Sequence, residues 1–133
     1  MTLITCHYRG QLRCEAEHGP SGDQLITDAP TDNQGRGERF SPTDLVATAL
    51  ATCILTVMGI AAERRGWSLE GTEARVQKTM TATGVRRIER LTVWVRLPDD
   101  LDSGARDQLQ RLAEGCPVKQ SLEGAVAMDL IWE

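Results

Sequence analysis

Residues 41–66, SPTDLVATALATCILTVMGIAAERRG, decide the fold of this 133-residue chain. The segment opens with Ser41-Pro42-Thr43-Asp44, in which serine can cap a helix, proline suits the first helical position and aspartate completes a capping box. It closes with Arg64-Arg65-Gly66, which places cations at the negative end of the helix dipole and then a glycine stop. The pattern predicts one long helix with Cys53 near its middle.

The central part of this helix, residues 45–62, carries no charged side chain. A membrane span needs ~20 predominantly apolar residues, but the central helix of a soluble core can be apolar on every side as well. The segment also contains threonines and a glycine, and the chain has no second candidate span. We therefore expect no membrane insertion and predict that the helix is buried between a sheet and a partner.

The flanking sequence alternates between strand and turn signals. Leu91, Val93 and Val95 alternate with polar residues, which is typical of a strand with one buried face. The remaining predicted elements are strands at 3–8, 11–17, 24–28, 73–83, 88–97 and 126–132, a second helix from about residue 102 to Gly115, and a short helical stretch after Cys116-Pro117. The order β-β-β-α-β-β-α-(α)-β predicts an α+β fold with a largely antiparallel sheet, in a single domain over residues 1–133.

Composition excludes several classes of function. The chain has 15 Lys+Arg against 19 Asp+Glu, a net charge of −4, so we expect no nucleic-acid partner. Its first residues lack the basic region and apolar core of a secretion signal. Its four cysteines are unevenly spaced, unlike the disulfide framework of a small secreted domain. We expect a cytoplasmic protein.

Two of the cysteines are candidates for chemistry. Cys53 could simply pack as a small apolar residue, or it could be a nucleophile if its thiolate is stabilised. Cys116 stands between Gly115 and Pro117, where it could cap a short helix or merely break the chain. Two cysteines in two helices also suggest a pair, in which a sulfenic acid on one condenses with the other to a disulfide.

These motifs resemble the OsmC/Ohr superfamily. SPTDL followed by an alanine-rich helix with Cys53 resembles its first cysteine motif, and residues 112–118, LAEGCPV, resemble its second. Arg64-Arg65-Gly66 and Arg86-Arg87-Ile88 fit the helix end and the middle hairpin of the family. The similarity extends over nearly the whole chain.

The resemblance implies an intertwined homodimer with an OsmC-like fold, in which the sheets wrap around two central helices. It implies a thiol-dependent peroxidase that reduces organic hydroperoxides in oxidative stress defence, with Cys53 as the peroxidatic cysteine and Cys116 as the resolving cysteine. The implied partners are a small hydroperoxide and an external dithiol reductant, and no cofactor or metal is expected. The alternative is a non-enzymatic member of the same fold, a dimeric redox-sensing or small-ligand-binding protein.

The residues that would support Cys53 are less clearly marked. The family places a glutamate next to the motif proline, where this chain has Thr43 and then Asp44. Arg13 is the nearest strand arginine, with Arg9 and Arg39 as alternatives. We take Arg13, Arg39 and Asp44 as site candidates, although Asp44 could serve only as a helix cap.

Two further clusters favour no site. Asp28, Asp32 and Glu38 lack ligand-like spacing, so we predict a solvated acidic loop. Residues 6–18 contain two cysteines and two histidines but no metal-ligand motif, so we expect no metal there.

Overall fold

The computed structural model describes all 133 residues and confirms the predicted α+β order. Its elements are β1 (Ile4–Gly10), β2 (Arg13–His18), β3 (Gln24–Asp28), α1 (Pro42–Arg65), β4 (Glu73–Met80), β5 (Ile88–Arg96), α2 (Ser103–Glu114), α3 (Pro117–Leu122) and β6 (Ala127–Trp132). One short 3-10 turn, Thr31–Asn33, lies in the loop before α1. The chain divides into an N-terminal unit, residues 1–46, and a C-terminal unit, residues 47–133.

Both ends of α1 are closed by the predicted residues. The Ser41 backbone N–H donates to Asp44 Oδ2 over 2.9 Å, and the Asp44 N–H donates to Ser41 Oγ over 3.1 Å, so the capping box is complete. At the other end Gly66 adopts φ +71°, which lets the Trp67 N–H reach the Ala62 carbonyl over 2.9 Å. This left-handed glycine is the stop that the sequence predicts.

The 24-residue helix α1 has the length and apolar composition of a membrane span. Its buried residues nevertheless form a single stripe with a spacing of three or four, as in a helix that packs one face into a protein core. They are Ala47, Leu50, Ala51, Ile54, Met58, Ala61 and Ala62. One such helix is weak evidence for a membrane, because the core helices of soluble proteins have the same length and composition.

The C-terminal unit contains the apolar core and a three-stranded sheet in the order β4-β5-β6. The central strand β5 buries Leu91, Val93 and Val95 completely, which confirms the predicted alternation. The other fully buried apolar residues come from α1 and from α2, where Leu109 and Ala113 have no exposed surface. Most pairings in the two sheets are antiparallel, but β6 runs parallel to β5.

The hairpin between β4 and β5 turns earlier than predicted. The sequence predicts that β4 continues to residue 83, but the strand ends at Met80. Thr81 closes the turn, because its backbone N–H donates to the Arg87 carbonyl over 2.9 Å and its hydroxyl donates to the Val85 carbonyl over 2.9 Å. Gly84 supplies the positive φ of +76° within this turn.

The N-terminal unit is a sheet in the order β1-β2-β3 and buries no apolar side chain. Its buried residues are polar, namely Thr27, Asp28 and Ser41. Large apolar side chains remain exposed instead: Leu3, Ile4, Tyr8, Leu12, Leu25, Ile26 and Phe40. A three-stranded sheet is stabilised when an apolar face is covered, and this sheet leaves its apolar side chains exposed.

We predict that Val93→Ala lowers the free energy of unfolding by about 2 kcal/mol, because it removes buried methyl groups from the core. The matched control is Val85→Ala in the same hairpin, whose side chain is 82% exposed where that of Val93 is 0% exposed. The control should change stability by less than about 0.5 kcal/mol. Urea unfolding with an unchanged m-value provides the measurement, and equal effects of the two variants would contradict the assigned core.

Candidate functional site

Cys53 lies at the edge of the buried stripe of α1. It is half-buried and follows Thr52, which is exposed, and precedes Ile54, which is fully buried. The Thr52 hydroxyl donates back to the Thr48 carbonyl over 2.8 Å, so this polar side chain is satisfied within the helix. Cys53 therefore has a fixed backbone and a thiol that solvent reaches in part.

Cys116 is the N-cap of α3. Of the two interpretations that the sequence left open, a helix cap or a simple break in the chain, the first is therefore the one observed. Its Sγ accepts a hydrogen bond from the Lys119 backbone N–H over 3.4 Å, and Pro117 occupies the first turn. Its own N–H donates to the Ala113 carbonyl over 3.2 Å at the end of α2. The side chain has no exposed surface.

The structure brings the two cysteines together within the C-terminal unit. The Cys116 thiol neighbours the Cys53 side chain, and no disulfide joins the two sulfurs. Burial raises the pKa of the Cys116 thiol, and the neighbouring Cys53 raises it further, against the opposing effect of the Lys119 N–H. Cys116 is thus held as a neutral thiol in contact with the more accessible sulfur of Cys53.

This arrangement can support disulfide exchange chemistry. Only neighbouring cysteines can reach the geometry that a disulfide requires. Exposure separates their roles, because a solvent-borne oxidant can meet Cys53 but finds no surface on Cys116. An oxidised Cys53 would then have a reduced thiol beside it.

Arg13 is held by a buried carboxylate in the N-terminal unit. Its Nε and Nη2 donate to the two oxygens of Asp28 over 2.6 and 2.8 Å, and Nη2 lies 3.6 Å from Glu38 Oε2. Asp28 is only 1% exposed, so the prediction of a solvated loop at this position is wrong. The β2–β3 register, which sets Arg13 opposite Asp28, explains the burial.

The Arg13 hydrogen bonds hold the pKa of the Asp28 carboxyl below its usual range. Desolvation opposes this effect, and a hydrogen bond from the Glu38 backbone N–H, 3.2 Å from Asp28 Oδ2, supports it. The same contacts raise the pKa of Arg13. The pair is therefore ionised across the physiological range and ties β2 and β3 to the loop before α1.

The other two site candidates also belong to the N-terminal unit. Arg39 is exposed and lines a groove of ≈ 500 Å³ beside Ile26 and Phe40. Asp44 accepts a hydrogen bond from the Ser41 backbone N–H as the acidic member of the capping box. This is the helix-capping role that the sequence offered as the alternative to a catalytic role. The catalytic roles assigned to Arg13, Arg39 and Asp44 stay predictions.

Residues 35–131 match the family described as OsmC-like protein. A protein of Psychrobacter arcticus 273-4, provisionally described as an osmotic stress induced and detoxification response protein, is 40% identical, with a TM-score of 0.92 over 100% of this chain and 96% of that chain. No curated protein matches the sequence.

Two more distant structures share the fold. The organic hydroperoxide resistance protein OsmC of Legionella pneumophila is 21% identical, with a TM-score of 0.79 over 100% of this chain and 96% of that chain. The organic hydroperoxide resistance protein OhrB of Bacillus subtilis is 19% identical, with a TM-score of 0.70 over 100% of this chain and 98% of that chain.

The Arg13–Asp28 pair predicts a specific pH dependence of stability. An unperturbed aspartate titrates near pH ~3.9, so below that value the unfolded chain binds a proton that the folded chain does not. The stability that the pair contributes is present above this pH and is lost as the pH falls through the lowered pKa of folded Asp28. Asp28→Asn should be less stable at neutral pH and should lose less stability on acidification.

Urea unfolding at a series of pH values between about 7 and 2 measures this difference. Glu15→Gln is the matched control, because Glu15 pairs with Arg9 over 3.2 Å in an exposed ion pair. The control should keep the acid dependence of the wild type. An Asp28→Asn profile parallel to that of the wild type would contradict the assignment.

Proposed function

This chain belongs to the OsmC-like protein family, and from that membership we propose that it is a thiol-dependent peroxidase that reduces organic hydroperoxides to alcohols in oxidative stress defence. The observation that carries the proposal is that half-buried Cys53 and buried Cys116 are neighbours. Relatives from Legionella pneumophila and Bacillus subtilis are named organic hydroperoxide resistance proteins. The four free cysteines fit a reducing compartment such as the cytoplasm.

The reaction begins at Cys53, the sulfur that a substrate can meet. Its thiolate attacks the distal peroxide oxygen, the O–O bond breaks, and the departing alkoxide takes up a proton to become the alcohol. The Cys53 sulfur is oxidised to a sulfenic acid, and the peroxide is reduced. Cys116 is spared at this step, because its sulfur is buried and its raised pKa keeps it protonated.

The second step forms a disulfide. The Cys116 sulfur attacks the Cys53 sulfur, and the sulfenic oxygen leaves as water with the proton from the Cys116 thiol. An external dithiol then reduces the Cys53–Cys116 bond by thiol–disulfide exchange and is itself oxidised to a disulfide. One hydroperoxide and one dithiol are thus consumed, and alcohol and water are produced.

We propose that Arg13 or Arg39 holds the peroxide and the thiolate, as fixed cations stabilise developing negative charge at other active sites. The charge of Arg13 is already balanced by Asp28 and Glu38. Arg39 is exposed and shares its groove with apolar side chains, so it is the better candidate for an organic substrate. Asp44 is assigned to the helix cap.

Cys53→Ser should abolish turnover of cumene hydroperoxide with a dithiol reductant, because serine cannot form the sulfenic acid. Cys116→Ser should give one rapid turnover and then inactivation, since an uncaptured sulfenic acid proceeds to irreversible sulfinic acid. Stopped-flow peroxide consumption and the mass of the Cys53 peptide measure both outcomes. Cys6→Ser and Cys14→Ser are the controls and should retain full activity.

Equal peroxide consumption by wild type and Cys53→Ser would overturn the peroxidase assignment. A wild type that oxidises once and does not cycle with any dithiol would support the alternative, a redox-sensing protein. Thr43, which stands where the family places a glutamate, is the feature that favours this alternative.

We also propose that the protein is a homodimer. The N-terminal unit buries no apolar side chain, so a single chain leaves its sheet without an apolar cover. On α1, Ile60 is 48% exposed, and together with Val57 and Leu112 it lines an open apolar groove of ≈ 430 Å³. A second copy of the chain would cover such surfaces, as exposed apolar patches of this kind commonly require.

Ile60→Asp should therefore convert a dimer into a monomer or an unfolded chain, because it would place an unpaired charge in the contact. Sedimentation equilibrium at micromolar concentration measures the change. Val85→Asp is the control at a site that is 82% exposed, and it should remain dimeric. A wild-type protein that is a stable monomer would contradict the proposal.

A further inference from the structure

Lys119 is the most enclosed charged side chain next to the Cys116 turn. Its side chain is only 13% exposed, and its Nζ lies 3.1 Å from Glu114 Oε2 and 3.4 Å from Glu123 Oε2. Glu114 is the last residue of α2, and Glu123 directly follows α3. One ammonium therefore joins the ends of the two helices between which Cys116 lies.

The backbone of Lys119 contacts the cysteine itself. Its N–H donates to Cys116 Sγ over 3.4 Å, so the same residue fixes the sulfur and the helix ends around it. Gln120 strengthens the turn, because its Nε2 donates to the Glu114 carbonyl over 3.2 Å. The side-chain ion pairs and the sulfur contact are thus two parts of one small structure.

The Lys119 ammonium is a charged group that the surrounding structure must compensate. Burying a lysine is costly unless it is paired, and the two carboxylates satisfy this requirement. Their hydrogen bonds raise the pKa of Lys119, so the residue stays protonated at neutral pH. The two ion pairs of Lys119 therefore point to a geometric role.

We propose that Lys119 is a positioning residue for Cys116, which holds its sulfur against Cys53 through the ion pairs with Glu114 and Glu123. The inference rests on the proposed function, since it concerns the step in which the Cys116 sulfur attacks the Cys53 sulfenic acid and water leaves. That step competes with a second peroxide, which oxidises the sulfenic acid to sulfinic acid. If the Cys116 sulfur is displaced, disulfide formation slows and more of Cys53 is oxidised to sulfinic acid.

The test is the peroxide concentration at which half of Cys53 becomes sulfinic acid, measured by the mass of its peptide. For Lys119→Met this concentration should fall about tenfold, since displacement of a reacting group by ~1 Å can slow a step by this much or more. Lys119→Arg, which keeps the cation, should restore most of the resistance. Arg111→Met is the control, because Arg111 is an exposed cation in the last turn of α2.

All variants are compared below their melting temperatures, where a merely stabilising lysine would leave the disulfide-to-sulfinic ratio unchanged. If Lys119→Met does not fold, the Glu114→Gln, Glu123→Gln double variant replaces it, because both glutamates are more than half exposed. The double variant should show the same shift to lower peroxide concentration.

The two possible failures are distinguishable. Wild type that forms no Cys53–Cys116 disulfide overturns the proposed function and the inference together. A normal disulfide in wild type, combined with unchanged sulfinic acid formation in Lys119→Met or in the double variant, overturns the inference alone.

Discussion

The proximity of Cys53 and Cys116 is the feature of the C-terminal unit on which the proposed chemistry depends. The buried stripe of α1 fixes the backbone of Cys53, and the turn from α2 into α3 fixes Cys116 as an N-cap. Burial has two consequences for Cys116: its pKa is raised, and an oxidant cannot reach it. The same geometry leaves Cys53 as the sulfur that a substrate can meet, so the division of labour between the cysteines follows from packing.

The N-terminal unit is built on a different constraint. Its buried side chains are polar, and hydrogen bonds of 2.6 and 2.8 Å join one of them, Asp28, to Arg13. Its apolar side chains remain exposed, which one small sheet cannot sustain by itself. Dimerisation would supply the missing cover, and it would also account for the apolar surface around Ile60 on α1. The proposed dimer would therefore contribute to stability by covering these apolar side chains.

Local signals in the sequence predict the helices and strands, but they do not predict which distant segments pair with each other. The capping box at Ser41 and the stop at Gly66 are local patterns, and both are confirmed. The parallel direction of β6 could not be predicted, because alternation identifies a buried face and not the direction of the neighbouring strand. Asp28 was misplaced because its partner is distant in the chain. The ion pairs of Lys119 beside Cys116 had one local signal in the sequence, which is the i,i+4 spacing of Lys119 and Glu123.

The most direct test of the account is a disulfide map of wild-type protein treated with one equivalent of an organic hydroperoxide. The neighbouring pair predicts a reducible link between Cys53 and Cys116, with Cys6 and Cys14 remaining free thiols. Mass spectrometry of peptides prepared without reductant identifies the linked pair. A link from Cys53 to Cys6 or Cys14, or oxidation that avoids Cys53 altogether, would contradict the central claim.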